Sequence, residues 1–339
     1  MTKIDIIKAI HELVYHNIFC SDIASPRWSS VAANGYEKRI IGFKAEVEAK
    51  ILFDSMKNTV LDGGWMLSNL RNKRCLDNSF YFTISNDPPE KYVSLYSLLR
   101  KLNFIKLFFI RYTDYASNSA LSDPLGIGNQ ILTPIFSCFE FQNDSFVEVS
   151  RGSHNLQPLT ELYTTKTGTK YRSSFKLNKP PIEFAQQILE CYSERHLFDI
   201  LAKRIVFDGL LGFNKERGIP SDIDLVIPNG TNFTFLEIKE KDKSKTPPQG
   251  FGMDVDRIFD ILKIKQALNC EYLYVVKEVN NQTDRKFMNW WKISMQTFYD
   301  AVKNNKTLEG GAGMATAKAT NHPTLVAPQS LFEKILSET

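Results

Sequence analysis

The segment PSDIDLVIPNGTNFTFLEIKEKDK, from Pro220 to Lys243, constrains this chain more than any other stretch. Two apolar runs flank Pro228-Asn229-Gly230, a turn sequence, so the segment reads as a β-hairpin with strands at 223–227 and 233–239. Side chains alternate along a strand. Phe233, Phe235, Glu237 and Lys239 therefore share one face, and Leu236 and Ile238 share the other. On the partner strand Asp222 and Asp224 also share a face and can meet Glu237 across the hairpin. A strongly apolar strand thus ends in a glutamate and a lysine where an ordinary sheet would continue its core.

Carboxylates crowded at the edge of an apolar core repel one another unless a cation lies between them. A hard divalent ion relieves that repulsion, and magnesium takes only one or two protein carboxylates, completing its shell with water and substrate phosphate. Such an ion activates water and stabilises charge on a phosphate, while Lys239 can orient the water or offset the developing charge. Phosphodiester hydrolysis suits all of these groups.

The pattern Asp-Ile-Asp-Leu-Val-Ile, a turn, then Phe-Leu-Glu-Ile-Lys resembles the PD-(D/E)XK superfamily of nucleases, whose hairpin carries one acidic residue followed by an acidic-x-Lys triplet. The resemblance implies a restriction-endonuclease-like core, with Asp224 as the bridging metal ligand, Glu237 as the second carboxylate, Lys239 as the motif lysine and Ile238 as a backbone-carbonyl ligand. Asp222 competes with Asp224 for the first role; Asp224 is preferred because it sits deeper in the apolar run. Family members often add an acidic residue from a preceding helix, and in EFAQQILECYSERHLFDILAKR the candidate is Glu194, with Glu190 as the alternative. A second glutamate-bearing helix, GFKAEVEAKILFDSM, places Glu46 and Glu48 before Asp62-Gly63-Gly64; no acidic-x-Lys strand follows it, so it reads as structural. The implied cofactor is Mg2+, with Mn2+ able to substitute.

The rest of the chain sets the frame. Its 339 residues, 43% hydrophobic and 24% charged, supply a real core and suggest two domains or one large elaborated one. A net charge of +4 permits a polyanionic partner without pointing to one. Five scattered cysteines lack metal-ligand spacing, and no segment reads as a signal peptide or a membrane span, so the expectation is a cytoplasmic protein with reduced thiols and no membrane partner.

Periodicity predicts helices at about 3–19 and 37–57, a turn at Asp62-Gly63-Gly64, and strands at 80–85, 107–112, 135–141 and 146–150, with a helix at 91–103. A polar, basic stretch at 151–181 follows, then a long helix at 182–204, the hairpin, a helix at 254–268, a strand at 271–277 and a short helix from about Ser330. The fold class is α/β (α+β): an N-terminal α+β region at 1–175, assigned to DNA recognition or dimerisation, and at 176–339 a nuclease core with a central mixed β-sheet flanked by helices. Lys241, Lys243, Lys263 and Gln266, with Lys170 and Arg172 in the basic stretch, are the candidate DNA contacts. The resemblance implies a type II restriction endonuclease cutting double-stranded DNA as a homodimer. A structure-selective or repair nuclease of the same fold, or a silent DNA-binding module, is the alternative.

Overall fold

The computed structural model describes residues 2–19, 29–68, 79–113, 120–122, 131–152, 181–206, 221–245, 247–312 and 321–336. The chain forms two compact units: Met1–Phe43 with Gly64–Ser221, and Lys44–Gly63 with Asp222–Thr339. This division differs from a single cut near 175, because a helix and a short strand segment from early in the sequence belong with the hairpin.

The first unit contains helix α1 (Lys3–Phe19) and the opening half of α2 (Ser29–Ser55). Its mixed sheet is built from the end of β1 (Leu61–Ser68), then β2 (Ser79–Ser85), β3 (Lys106–Tyr112), β6 (Phe136–Gln142) and β7 (Ser145–Gly152). The short strands β4 (Ala120–Ser122) and β5 (Ile131–Thr133) form a separate ribbon. Among the described residues of this unit only β2 and β3 pair in parallel, and the crossover between them carries helix α3 (Val93–Leu99). All seven residues of β2 are buried, as expected of a strand covered on both faces. The long helix expected at 182–204 is two helices, α4 (Ile182–Leu189) and α5 (Glu194–Arg204), because Ser193 caps the second by accepting the His196 N–H.

The second unit holds the hairpin strands β8 (Ser221–Asn229) and β9 (Asn232–Asp242), then β10 (Gly250–Asp254) and helix α6 (Val255–Leu268). Strands β11 (Glu271–Val279) and β12 (Phe287–Ser294), helix α7 (Met295–Val302), and strands β13 (Leu308–Ala312), β14 (Asn321–Pro328) and β15 (Glu333–Lys334) complete it. Its mixed sheet runs β15-β12-β11-β9-β8, with β9 and β11 parallel and α6 as their crossover. A small antiparallel sheet, β10-β14-β13, stands beside it in the same unit. The hairpin turn is tighter than the sequence suggested. Pro228 pairs with Phe233 and Asn229 with Asn232, which leaves Gly230, at φ +61°, and Thr231 to reverse the chain.

The expected turn at Asp62-Gly63-Gly64 is strand β1 instead. Glycine is required there by close approach: a Cβ on Gly63 would lie 1.7 Å from the Ile223 carbonyl oxygen of β8. The helix expected from Ser330 is a single 3-10 turn, Gln329–Leu331, leading into β15. Ala45, Ala49, Leu52 and Phe53 of α2 pack with Leu225, Leu236, Ile238 and Val275 as one buried cluster. The early helix thereby covers one face of the hairpin sheet and leaves the Asp222, Asp224 and Glu237 side chains on the other. Among the described residues no helix is long and apolar enough to cross a membrane. Cys138, Cys191 and Cys270 are free thiols.

Candidate metal centre

Pairing of Leu225 with Leu236 sets the hairpin register and brings Asp224 level with the start of the acidic-x-Lys triplet. Its Oδ2 accepts the Ile238 N–H at 2.6 Å, so the carboxylate is fixed by the neighbouring strand. One oxygen from each of Asp222, Asp224 and Glu237 lies within 4.8 Å of the other two. Lys239 places its ammonium 2.9 Å from Glu237 Oε1 and 3.8 Å from Asp224 Oδ2. The alternation of the strand delivers Glu237 and Lys239 to one face, as the sequence requires.

Burial and charge act differently on the three ionisable groups at the centre. Burial drives the Asp224 carboxyl well above the usual carboxylate range; Lys239 opposes this, while Glu237, Asp222 and Glu46 reinforce it. Burial also pushes Glu237 upward, but the charges of Arg257 and Lys239 outweigh it and hold that carboxyl at about 2. For Lys239, burial is overcome by Asp224 and Glu237, which hold its ammonium well above the ordinary lysine range. Lys239 is therefore a fixed positive charge here, suited to offsetting negative charge rather than accepting a proton.

Two further residues shape the site. Arg257, in the first turn of α6, donates to the Glu237 carboxylate and to the Asp222 backbone carbonyl. Tyr272 of β11 is fully buried, and its hydroxyl has no hydrogen-bond partner among the described residues. Burial raises the Tyr272 phenol, with the charges of Arg257, Glu237, Asp224 and Asp222 also acting on it. A buried hydroxyl left without a partner beside clustered carboxylates marks a place for a further polar group. Hard oxygen donors from three converging carboxylates, with no sulfur or imidazole among them, fit magnesium or manganese.

The remaining expected residues divide. Lys241 follows Lys239 on the same face of β9, half-buried, with burial lowering its ammonium below the ordinary range. Lys243 donates to Gln329 Oε1 at 2.9 Å. Lys263 and Gln266 are exposed on α6, about 9 and 14 Å further along the helix axis than Arg257. Lys170 and Arg172 lie outside the described residues. Glu194 is exposed in the first turn of α5, and Glu190 follows α4; both belong to the first unit, whereas the carboxylate cluster belongs to the second. The helix that accompanies the cluster is α2, whose Glu46 acts on Asp224.

Arg257 is the residue at the cluster that the motif does not include, and Glu46, on the helix expected to be structural, adds its charge to the surroundings of Asp224. The signal for Glu46 was the glutamate-bearing helix itself, discounted because no acidic-x-Lys strand follows it directly. Arg257 carried no sequence signal beyond its place in a basic helix.

Lys277 forms a second buried charge cluster with Glu240 and Glu48 on the opposite face of the sheet. Glu240 also pairs with Arg285 at 2.8 Å. This network ties α2, β9 and β11 together behind the carboxylates.

No protein family model matches the chain. No curated protein matches it either. Among solved structures, part of the chain is similar to Hjc, a Holliday junction resolvase from the archaeal hyperthermophile Archaeoglobus fulgidus, at 13% identity and a TM-score of 0.20. The likeness spans 32% of this chain and 64% of that one, less than two thirds of the resolvase. At that score the likeness carries no weight, and the site stands on its own geometry.

Proposed function

We propose that the second unit is a divalent-metal-dependent nuclease centre of the PD-(D/E)XK kind. The observation that carries this reading is the convergence of Asp222, Asp224 and Glu237 within 4.8 Å, with the Lys239 ammonium 2.9 Å from Glu237. Asp224 and Glu237 would hold the ion, with Asp222 and the Ile238 carbonyl as further candidate ligands. Magnesium is the expected ion, and manganese the expected substitute. Once bound, the ion supplies an activated water and charge stabilisation at the phosphate.

The residues of the chain do the rest. Asp224 is oriented by the Ile238 N–H, and Glu237 by Arg257. Lys239, kept cationic by its two carboxylate neighbours, offsets charge on the phosphate under attack. Lys241 near the end of β9 and Lys243 just beyond it extend the positive charge, where a phosphate backbone would run. The substrate proposed is double-stranded DNA, and the activity that of a type II restriction endonuclease working as a homodimer in the cytoplasm.

The test is cleavage of plasmid and branched oligonucleotide DNA with Mg2+, with Ca2+ as the non-supporting control. Asp224→Ala, Glu237→Ala and Lys239→Ala are each expected to abolish cutting with the fold intact by circular dichroism. Discrete plasmid fragments support the restriction reading. Cutting confined to branched DNA replaces it with a structure-selective nuclease. Cutting by the Glu237 or Lys239 variant at the wild-type rate refutes the site.

A further inference from the structure

The reading of the centre as a nuclease site assigns Arg257 only a holding role, yet its position calls for more. It is the more buried of the two cations at the cluster: its side chain is 11% exposed, against 42% for Lys239. Its guanidinium donates to Glu237 and lies 3.3 Å from Asp222 Oδ1. Two of the three clustered carboxylates, Glu237 and Asp222, are thus already shared with Arg257.

The two carboxylates differ in freedom. The Glu237 side chain is wholly buried, and Arg257 takes Oε2, leaving Oε1 facing Lys239. The Asp222 side chain is 42% exposed, so solvent can replace its partner. A divalent ion drawn to Asp222 must therefore take that carboxylate from the guanidinium. At Glu237 the arginine and an ion can use different oxygens.

We infer that Arg257 is a built-in competitor for the divalent ion, holding Asp222 in the metal-free protein and weakening metal binding, while its contact with Glu237 persists throughout. The inference rests on the proposed metal centre and adds to it a determinant of metal affinity. Its logic is electrostatic: a fixed positive charge a few ångströms from a site opposes a cation there, and removing it favours binding.

Calorimetric titration of the full chain with Mn2+, without DNA, tests it. Arg257→Gln is expected to bind Mn2+ about tenfold or more tightly than wild type, the scale of deleting one nearby unit charge. Arg257→Lys keeps the charge without the fork and should tighten binding by a smaller factor. In an Asp222→Asn background the effect of Arg257→Gln should shrink, because the contested carboxylate is gone. Unchanged or weaker binding by the Arg257 variants, beside a wild type that binds, overturns the inference and leaves the metal centre standing. If Arg257→Gln fails to fold, Arg257→Lys decides alone, and affinity at or below wild type overturns the inference. A wild type that binds no Mn2+ overturns the metal centre and the inference together.

Discussion

Glu237 and Glu240 are two buried glutamates on one strand that face opposite sides of the sheet and meet opposite company. Glu240 and Glu48 are matched by Lys277 and Arg285, two carboxylates against two cations. Glu237 stands with Asp222 and Asp224 against Lys239 and Arg257, three carboxylates against two cations. In a balanced buried network each charge is compensated by its own partners, whereas an excess of carboxylates leaves negative charge that a further cation can compensate. The same residue type, on the same strand, sits in a matched charge network on one face and, under the proposed function, is available for chemistry on the other.

The comparison can be broken most severely by exchanging the two carboxylates for amides. Glu237→Gln should lower the cleavage rate by about 10³-fold or more, the scale of losing a group that holds the charge-stabilising centre. Single-turnover cleavage at saturating metal measures this, and a loss below tenfold would make the two glutamates equivalent. Glu240→Gln should instead leave the rate per folded molecule within about tenfold of wild type, because its partners lie on the far face.

Next in size is the structural network itself. Lys277→Met leaves Glu48 and Glu240 facing one another with a cation removed, and the Glu240 and Lys277 side chains are only 4% and 3% exposed. Breaking such a buried pair should cost about 3 kcal/mol of unfolding free energy, read from urea denaturation. A cost below about 1 kcal/mol would show that the far-face pairs are dispensable.

The smallest effect has the opposite sign. Burial raises the Asp224 carboxyl, so the group costs the metal-free fold stability at neutral pH, where the same carboxyl in the unfolded chain is ionised. Asp224→Asn should therefore gain about 1–2 kcal/mol in metal-free protein while losing activity. A group with a raised folded value contributes stability at low pH and loses it as pH rises through that value. The gain from the amide should accordingly be full above the raised value, shrink as pH falls from there toward the ordinary carboxylate value, and vanish below that ordinary value, where the folded and unfolded carboxyls are both neutral. Thermal melts in EDTA across pH check this, and a destabilised Asp224→Asn at neutral pH would show that the site is balanced after all.

Much of the second unit was legible because it is local. The face shared by Phe235, Glu237 and Lys239 follows from period-2 alternation, and the hairpin from two apolar runs joined at a glycine with positive φ. The break between α4 and α5 was not read, although Ser193 carries the capping signal, because apolar spacing continues across it. In isolation the Gly-Gly of β1 signals a turn; only contact with Ile223 shows why the glycine sits in a strand. The same limit applies to the helices that carry Glu46 and Glu194. Both lie on glutamate-bearing helices ahead of a strand, and nothing within either helix says which one packs against the hairpin.

The sequence by itself determined the hairpin and the face its acidic and basic groups share. These depend on backbone geometry over a few residues, which the chain carries wherever it goes. Tertiary structure alone decided that a helix from residues 44–55 covers the far face, that Arg257 enters the cluster from α6, and that Lys277 is buried between two glutamates. Those contacts join positions far apart in the chain, and they are selected by the burial of apolar surface over a whole unit rather than by any local pattern.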